Sequence, residues 1–585
     1  MDIMTSVDEL FKKPNLPIAS HKRKFEEPNA QEVYKASKLS NGSSPHGNGA
    51  SVEDAEDDDD LEAGPELPPE DDDGDDEDGK FFGSGMTRDA AEALDYINQQ
   101  DGETYTEEKI DSAWLRRLAN TFEKKVSKNA ELRAKFESDP AKFMRSEADL
   151  DVEIKSWSLL TEHPELYPEF AESRSVASLV GLLAHENTDI AIGAIEIISE
   201  LLDEDVEAEQ EQWDMLVSAL LDADLMDLLM SNLARLDEEN ESDRSGVYYS
   251  LSVMESLAGQ QAIAEKIGTE KVLMWLCNRI KARERPVGQN KQYAAEVLQV
   301  LLQPSSLLRK RLAIDIDGVD LFLQLLAAYR KQDPQKDTSE EEYVENLFDA
   351  LTCVVDEAEG KTKFVEAEGV ELMLIMLKEG TKNIAQRALR VLDHATNGQG
   401  LASSQVCEKI VEAAGLKTAF SMFMKSKDTA NTEHLVCIFS ALLRLLPGES
   451  AARIRTLAKF TEKRHEKVTR LLQLRSEYAR RLATVDKEIK VEQKTLSNDE
   501  IDEREAEWFS RRLDGGLFCL QMADVILAWL VAEDAEVRTK VSKELEGGLA
   551  VIRASLEEQK KGLEGGTTED EDTGEMLHTL IGFLQ

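Results

Sequence analysis

VDLFLQLLA (residues 319–327) and VELMLIMLK (residues 370–378) are two versions of one short apolar phrase, and its recurrence decides how this chain folds. The phrase returns at Val176 (VASLVGLLA), Leu225 (LMDLLMSNL), Val272 (VLMWLCNRI) and Leu416 (LKTAFSMFM). Successive starts lie 49, 47, 47, 51 and 46 residues apart. Each is followed by a polar break and a longer apolar helix, as in TDIAIGAIEIISELL (residues 188–202) and at 290–302 and 384–395. Gly318, Gly369 and Gly415 stand just ahead of three of the phrases. Helical units repeating at roughly 40 to 47 residues cannot bury their apolar faces alone and must stack on their neighbours. The fold expected is therefore all-α: an armadillo/HEAT-type α-solenoid of about six repeats over 171–448, with an N-terminal helical cap (86–170) and a C-terminal helical extension (449–585). Such a body offers a long concave binding wall and no reaction centre.

The composition narrows the partners. Net charge is −48, from 117 acidic and 69 basic residues. That argues against direct nucleic-acid or anionic-membrane binding, where phosphate neutralisation supplies most of the affinity, and favours a basic partner. Cys277, Cys353, Cys407, Cys437 and Cys519 are widely spaced and mostly inside apolar helical stretches, which is the pattern of reduced core thiols rather than of a metal site or disulfide framework. The opening MDIMTSVDELFKK has acids where a secretory signal needs a cation and an apolar run, and no run approaches the ~18 apolar residues of a membrane span. A soluble intracellular protein is expected.

Residues 1–85 hold too few apolar side chains to offset the entropy of ordering and are expected to be disordered. Within them Lys22, Arg23 and Lys24 form a basic cluster of the kind a nuclear import receptor reads. Residues 51–79 carry 17 acids and no Lys or Arg, a solubilising tail. Without those 17 charges the remainder still stands at −31.

The longer helices of the repeats carry polar stripes at spacings of 3 and 4, one face of a helix. The first stripe is Asp189, Gly193, Glu196, Glu200 and Asp203; another is Gln292, Glu296, Gln299 and Gln303. Glu342, Glu345, Asp349, Thr352 and Asp356 make the next, followed by Asn383, Gln386, Arg390, Asp393 and Asn397. Aligned, they would form a ladder of carboxylates and amides suited to an extended Lys/Arg-rich peptide. The alternative is that each stripe is only the wet side of an amphipathic helix. Reversing Glu345, Asp349 and Asp356 to lysine is expected to abolish basic-peptide binding and leave the helical signal intact.

Beyond Pro447 and Gly448, residues 451–490 read as one long helix with Val468, Leu471, Tyr478, Leu482, Val485 and Ile489 near heptad spacing and Arg475 interrupting the seam. This seam permits a homodimer. The helix holds 12 basic and 5 acidic residues and is expected to pack on the body's own negative surface. Residues 558–575 read as an acidic flexible link before a last helix. No phosphate-cradling loop, nucleophile elbow, HExxH or CxxC is present, so no catalytic residue, metal site or cofactor is assigned. Asp393 and His394 are adjacent, and on a helix their side chains diverge by about 100°, so they cannot orient one another as a catalytic pair.

Several strings resemble the beta-catenin-like protein 1 family: TFEKKVSKNAELRAKF (121–136), DPAKFMRSEADLD (139–151), LLAHENTDIAI (182–192), ENLFDAL (345–351), LRVLDHA (389–395), FTEKRHEKVTRLLQL (460–474) and RRLDGGLFCLQ (511–521). The resemblance implies a nuclear armadillo-type scaffold of the pre-mRNA splicing machinery, attached to the nineteen complex through its Myb-like splicing factor and recognising basic, nuclear-localisation-type segments. An alternative is a nuclear import adaptor of the importin-alpha type. Trp114, Trp157, Trp213, Trp275, Trp508 and Trp529 do not form the Trp ladder of that family, so binding of a basic peptide would rest on carboxylates.

Overall fold

The computed structural model describes residues 109–494, 496, 498–563 and 568–585. Of the described residues, 115–585 belong to one compact unit, which holds the helical repeats. The 1–85 tail with Lys22, Arg23 and Lys24, and the start of the expected cap, lie outside the described residues.

No strand occurs among the described residues. Helices α1 (Ser112–Lys135) and α2 (Met144–Lys155) open the body. Six triplets come next. The first is α3 (Tyr167–Ala171), α4 (Arg174–Gly181) and α5 (Thr188–Leu201); the second is α6 (Gln210–Asp222), α7 (Leu225–Leu233) and α8 (Glu241–Ala258). Then come α9 (Gln261–Ile267), α10 (Glu270–Lys281) and α11 (Gln289–Leu302), and α12 (Ser306–Ile314), α13 (Gly318–Leu326) and α14 (Ser339–Val354). The last two are α15 (Ala358–Glu366), α16 (Gly369–Glu379) and α17 (Lys382–Thr396), and α18 (Leu401–Glu412), α19 (Gly415–Lys425) and α20 (Thr429–Leu445). The repeated phrase is the middle helix of each triplet. The short first helix is the element that the sequence pattern left unread, because pieces such as QAIAEKI (α9) are too brief to declare a period.

The third helices make the spine. Each of α2, α5, α8, α11, α14, α17 and α20 packs on the next, and the row continues onto α23 (Leu517–Glu533). Their apolar faces are shut: Ile190, Ile195, Leu251, Val297, Leu298, Leu347 and Leu392 are all buried. Burying such side chains contributes about 1.5–3 kcal/mol each, which is what holds a rod whose repeats touch only their neighbours.

The turn from first to second helix has a recurring device. Asp224, Asp317, Glu368 and Ala414 each sit at φ near +60° in the left-handed region. The glycine follows in three of the four turns and is itself helical, so its role is space rather than φ. A Cβ on Gly318 would stand 2.6 Å from Leu312 Cγ, and one on Gly369 would overlap the Phe364 ring.

The C-terminal helices are α21 (Ala451–Gln493), α22 (Asn498–Asp514), α23, α24 (Ala535–Glu544), α25 (Leu549–Gly562) and α26 (Thr568–Phe583). Two expectations are corrected by them. Residues 451–490 are not one helix: Glu462 is extended and Lys463, Arg464 and His465 are left-handed, which breaks α21 into two segments. The proposed link 558–575 is helical on both sides, since α25 runs to Gly562 and α26 starts at Thr568, with 564–567 outside the described residues. The heptad-like seam is filled from within. Val468, Leu471, Tyr478, Leu482 and Ile489 are buried, and α21 packs on α23. Arg475 interrupts that seam because it meets Asp524 of α23 at 2.5 Å, both side chains being buried. Burial outweighs this cation and raises the Asp524 carboxyl to about 6. A ring cluster of Phe420, Phe423, Phe439 and Phe460 ties the last repeat to α21.

Candidate functional site: the ladder of third helices

The stripe on α5 meets the neighbouring rungs through hydroxyls. Asn187 caps this helix by accepting from the Asp189 N–H, which fixes the register of its first turn. Asp189 Oδ1 accepts from Ser242 Oγ at 2.9 Å, Glu196 Oε1 from Tyr249 Oη at 2.8 Å, and Glu200 Oε2 from Ser158 Oγ at 2.6 Å. None of these three carboxylates forms an ion pair among the described residues. Asp203, half-buried, accepts from the Asp205 N–H at 2.8 Å. The negative charge is felt locally. Glu200 is pushed up from the usual carboxylate range by burial, with Glu196 and Asp203 adding repulsion, and burial with Glu196 close by raises the Tyr249 hydroxyl.

On α11 the expected open stripe is absent. Gln292, Glu296 and Gln299 are buried because α8 and α14 close on this helix from both sides, and Gln292 Nε2 donates to Glu296 Oε2 at 2.9 Å.

From α14 onward the partners change from hydroxyls to guanidinium and imidazole groups. Glu345 pairs with Arg387 at 3.2 Å, Asp349 with Arg390 at 2.9 Å, Asp356 with His394 at 3.6 Å and Asp393 with His434 at 2.8 Å. Glu342 lies in the first turn of α14. Asp349 is only 7% exposed, and burial lifts its carboxyl to about 6 despite Arg390. The adjacent Asp393 and His394 serve different rungs, which keeps them apart as expected. His434 lies one turn from Cys437, but burial holds that thiol far above its ordinary range, so it is no thiolate nucleophile. Asp393, His434, Cys437, Arg444 and Arg512 line a cavity of about 710 Å³ that α22, α23, α25 and α26 roof over the last two rungs. Among the described residues no group of three or more His, Cys, Asp or Glu side chains is placed to hold a metal ion.

The residues that sequence reasoning missed are the partners: Ser158, Ser242, Tyr249, Arg387 and His434. A signal for them exists. Bonded pairs lie 41, 42 or 53 residues apart, one repeat, so complementary side chains at a one-repeat offset mark neighbouring rungs.

A stack of three-helix units whose third helices form one continuous row defines the armadillo class of all-α solenoids. Residues 91–557 match the family described as catenin-beta-like, Arm-motif containing nuclear, and the chain belongs to it. It is similar to the beta-catenin-like protein 1 homolog of Schizosaccharomyces pombe, with 34% identity over 87% of this chain and 91% of that protein. It is likewise similar to beta-catenin-like protein 1 of Homo sapiens, with 35% identity over 81% of this chain and 86% of the relative. A solved chain from work on the phosphorylation switch between cadherin and beta-catenin aligns at a TM-score of 0.41 with 12% identity, covering 82% of this chain and 98% of that one.

Proposed function

We propose that the protein is a non-catalytic nuclear scaffold that holds Lys/Arg-rich segments of other proteins along the ladder, at the α5–α8 rungs. The observation that carries this reading is the trio Asp189, Glu196 and Glu200, whose carboxylates are oriented by hydroxyls and enter no ion pair among the described residues. A hydroxyl fixes a carboxylate's position without cancelling its charge, so an arriving lysine or arginine is attracted by all three acids, with Lys155 near Glu196 as the cation it competes with. The family's nuclear description supports the compartment. The resemblance of its strings to the beta-catenin-like protein 1 family supports placement with the pre-mRNA splicing machinery, the Myb-like factor of the nineteen complex being the first partner to try.

The test is titration of a labelled lysine/arginine-rich peptide into the full chain, followed by fluorescence anisotropy, with retention from nuclear extract as the second readout. Binding that weakens with salt and with Glu196→Gln and Glu200→Gln together supports the proposal. Absence of peptide binding, or binding indifferent to both substitutions, rejects it.

A further inference from the structure

On a chain of net charge −48, one groove is positively charged. It runs between α16 and α19, the neighbouring middle helices of the last two repeats, and encloses about 1100 Å³. Its rim carries Lys378, Lys382, Lys417, Lys425 and Lys427, all exposed and none in an ion pair among the described residues. Of the acids that line it, Glu371 is already paired with Lys409 at 2.8 Å and Glu379 with Lys331 at 3.1 Å, while Asp428 caps α20 by accepting from the Ala430 N–H. The rim therefore retains a surplus of cations that the body does not use.

Helix electrostatics account for only part of this. Lys378 and Lys425 lie in last turns, where a cation complements the helix dipole. Lys382 is the first residue of α17, Lys427 immediately precedes the cap of α20, and Lys417 is in the first turn of α19. A cation at those positive ends costs local stability, so the three gain nothing from their own helices. The floor between them is apolar, with Ile375 41% exposed beside Leu374 and Met422. In the wall, Asn431 Oδ1 is buried and finds no hydrogen-bond donor among the described residues.

We propose that the α16–α19 groove docks an acidic amphipathic helix of a partner protein, its leucine-type side chains on Leu374, Ile375 and Met422 and its carboxylates on the lysine rim. An apolar stripe with flanking acids fits a groove with an apolar floor and cationic edges. Nucleic acid fits it less well: the lining contains no aromatic side chain for base stacking and no arginine to fork onto phosphate. This surface is distinct from the ladder, so the two partners would be held independently.

The experiment uses the full chain and a labelled synthetic peptide with leucines at helical spacing and Glu/Asp elsewhere, read by anisotropy. The peptide is expected to bind, and Lys382→Glu/Lys425→Glu/Lys427→Glu to weaken it about tenfold or more, as reversal of three rim charges should. Ile375→Glu, exposed and therefore compatible with folding, should weaken it as well, whereas the affinity of the lysine-rich ladder peptide should not move. No peptide binding, equal affinity in the triple variant, or a single-stranded oligonucleotide that binds the wild type more tightly than the peptide would overturn the proposal.

Discussion

The α5–α8 rungs and the α14–α17–α20 rungs are written in nearly the same acidic language, yet they are different surfaces. In the first, carboxylates are positioned by Ser242, Tyr249 and Ser158; in the second, equivalent carboxylates meet Arg387, Arg390, His394 and His434. A hydroxyl partner leaves the carboxylate's charge standing, whereas the guanidinium groups of Arg387 and Arg390 turn Glu345 and Asp349 into a neutralised structural joint, and imidazoles occupy Asp356 and Asp393. A stripe of acids on a solenoid is therefore left unneutralised only where the next rung supplies no cation.

The largest consequence concerns Asp349. Replacing it with lysine sets a buried cation against the half-buried Arg390, and the loss should be about 3 kcal/mol or more, seen as a large fall in thermal midpoint. Glu196→Lys, on the hydroxyl-paired half, should cost under ~1 kcal/mol. Reversal of Glu345, Asp349 and Asp356 together is therefore expected to change stability as well as charge. Similar losses at the two positions would erase the distinction.

The same aspartate makes a pH signature. Its carboxyl holds a proton up to about 6 in the fold and only to about 3.8 when free, so the folded chain binds more protons between these values. Stability contributed by this group should therefore fall as pH rises through that window and stay level above it, by on the order of 2 kcal/mol relative to Asp349→Asn. Parallel thermal midpoints of wild type and Asp349→Asn from pH 4 to 7 would contradict it.

For ligand binding, Asp189→Asn/Glu196→Gln/Glu200→Gln should lower lysine-rich peptide affinity about tenfold, and Glu345→Gln/Asp356→Asn less than about threefold. Equal losses would place the ligand along the whole row. The smallest effect is expected for Tyr249→Phe, which removes the donor to Glu196 and should cost about 0.5 kcal/mol of stability, measurable by denaturant titration.

Much of this molecule was legible without coordinates. The six apolar phrases announced the repeats because an amphipathic helix must show its 3.6-residue period wherever it packs. The short helices such as α9 escaped notice because seven residues span barely two turns. The break in α21 at 462–465 also escaped, since Lys, Arg and His have ordinary helix propensities and no glycine or proline marks the place.

By itself, the chain's sequence determined the all-α repeat architecture, the excess of negative charge and the positions of the acidic stripes, because each of these is a local or summed property. The tertiary structure alone decided that Glu296 is sealed between rungs, that Asp349 is spent on Arg390 and that Arg475 reaches Asp524. Those outcomes depend on which side chain lies about 4 Å away across a helix–helix interface one or more repeats distant, and at that range a hydroxyl and a guanidinium give the same carboxylate opposite uses.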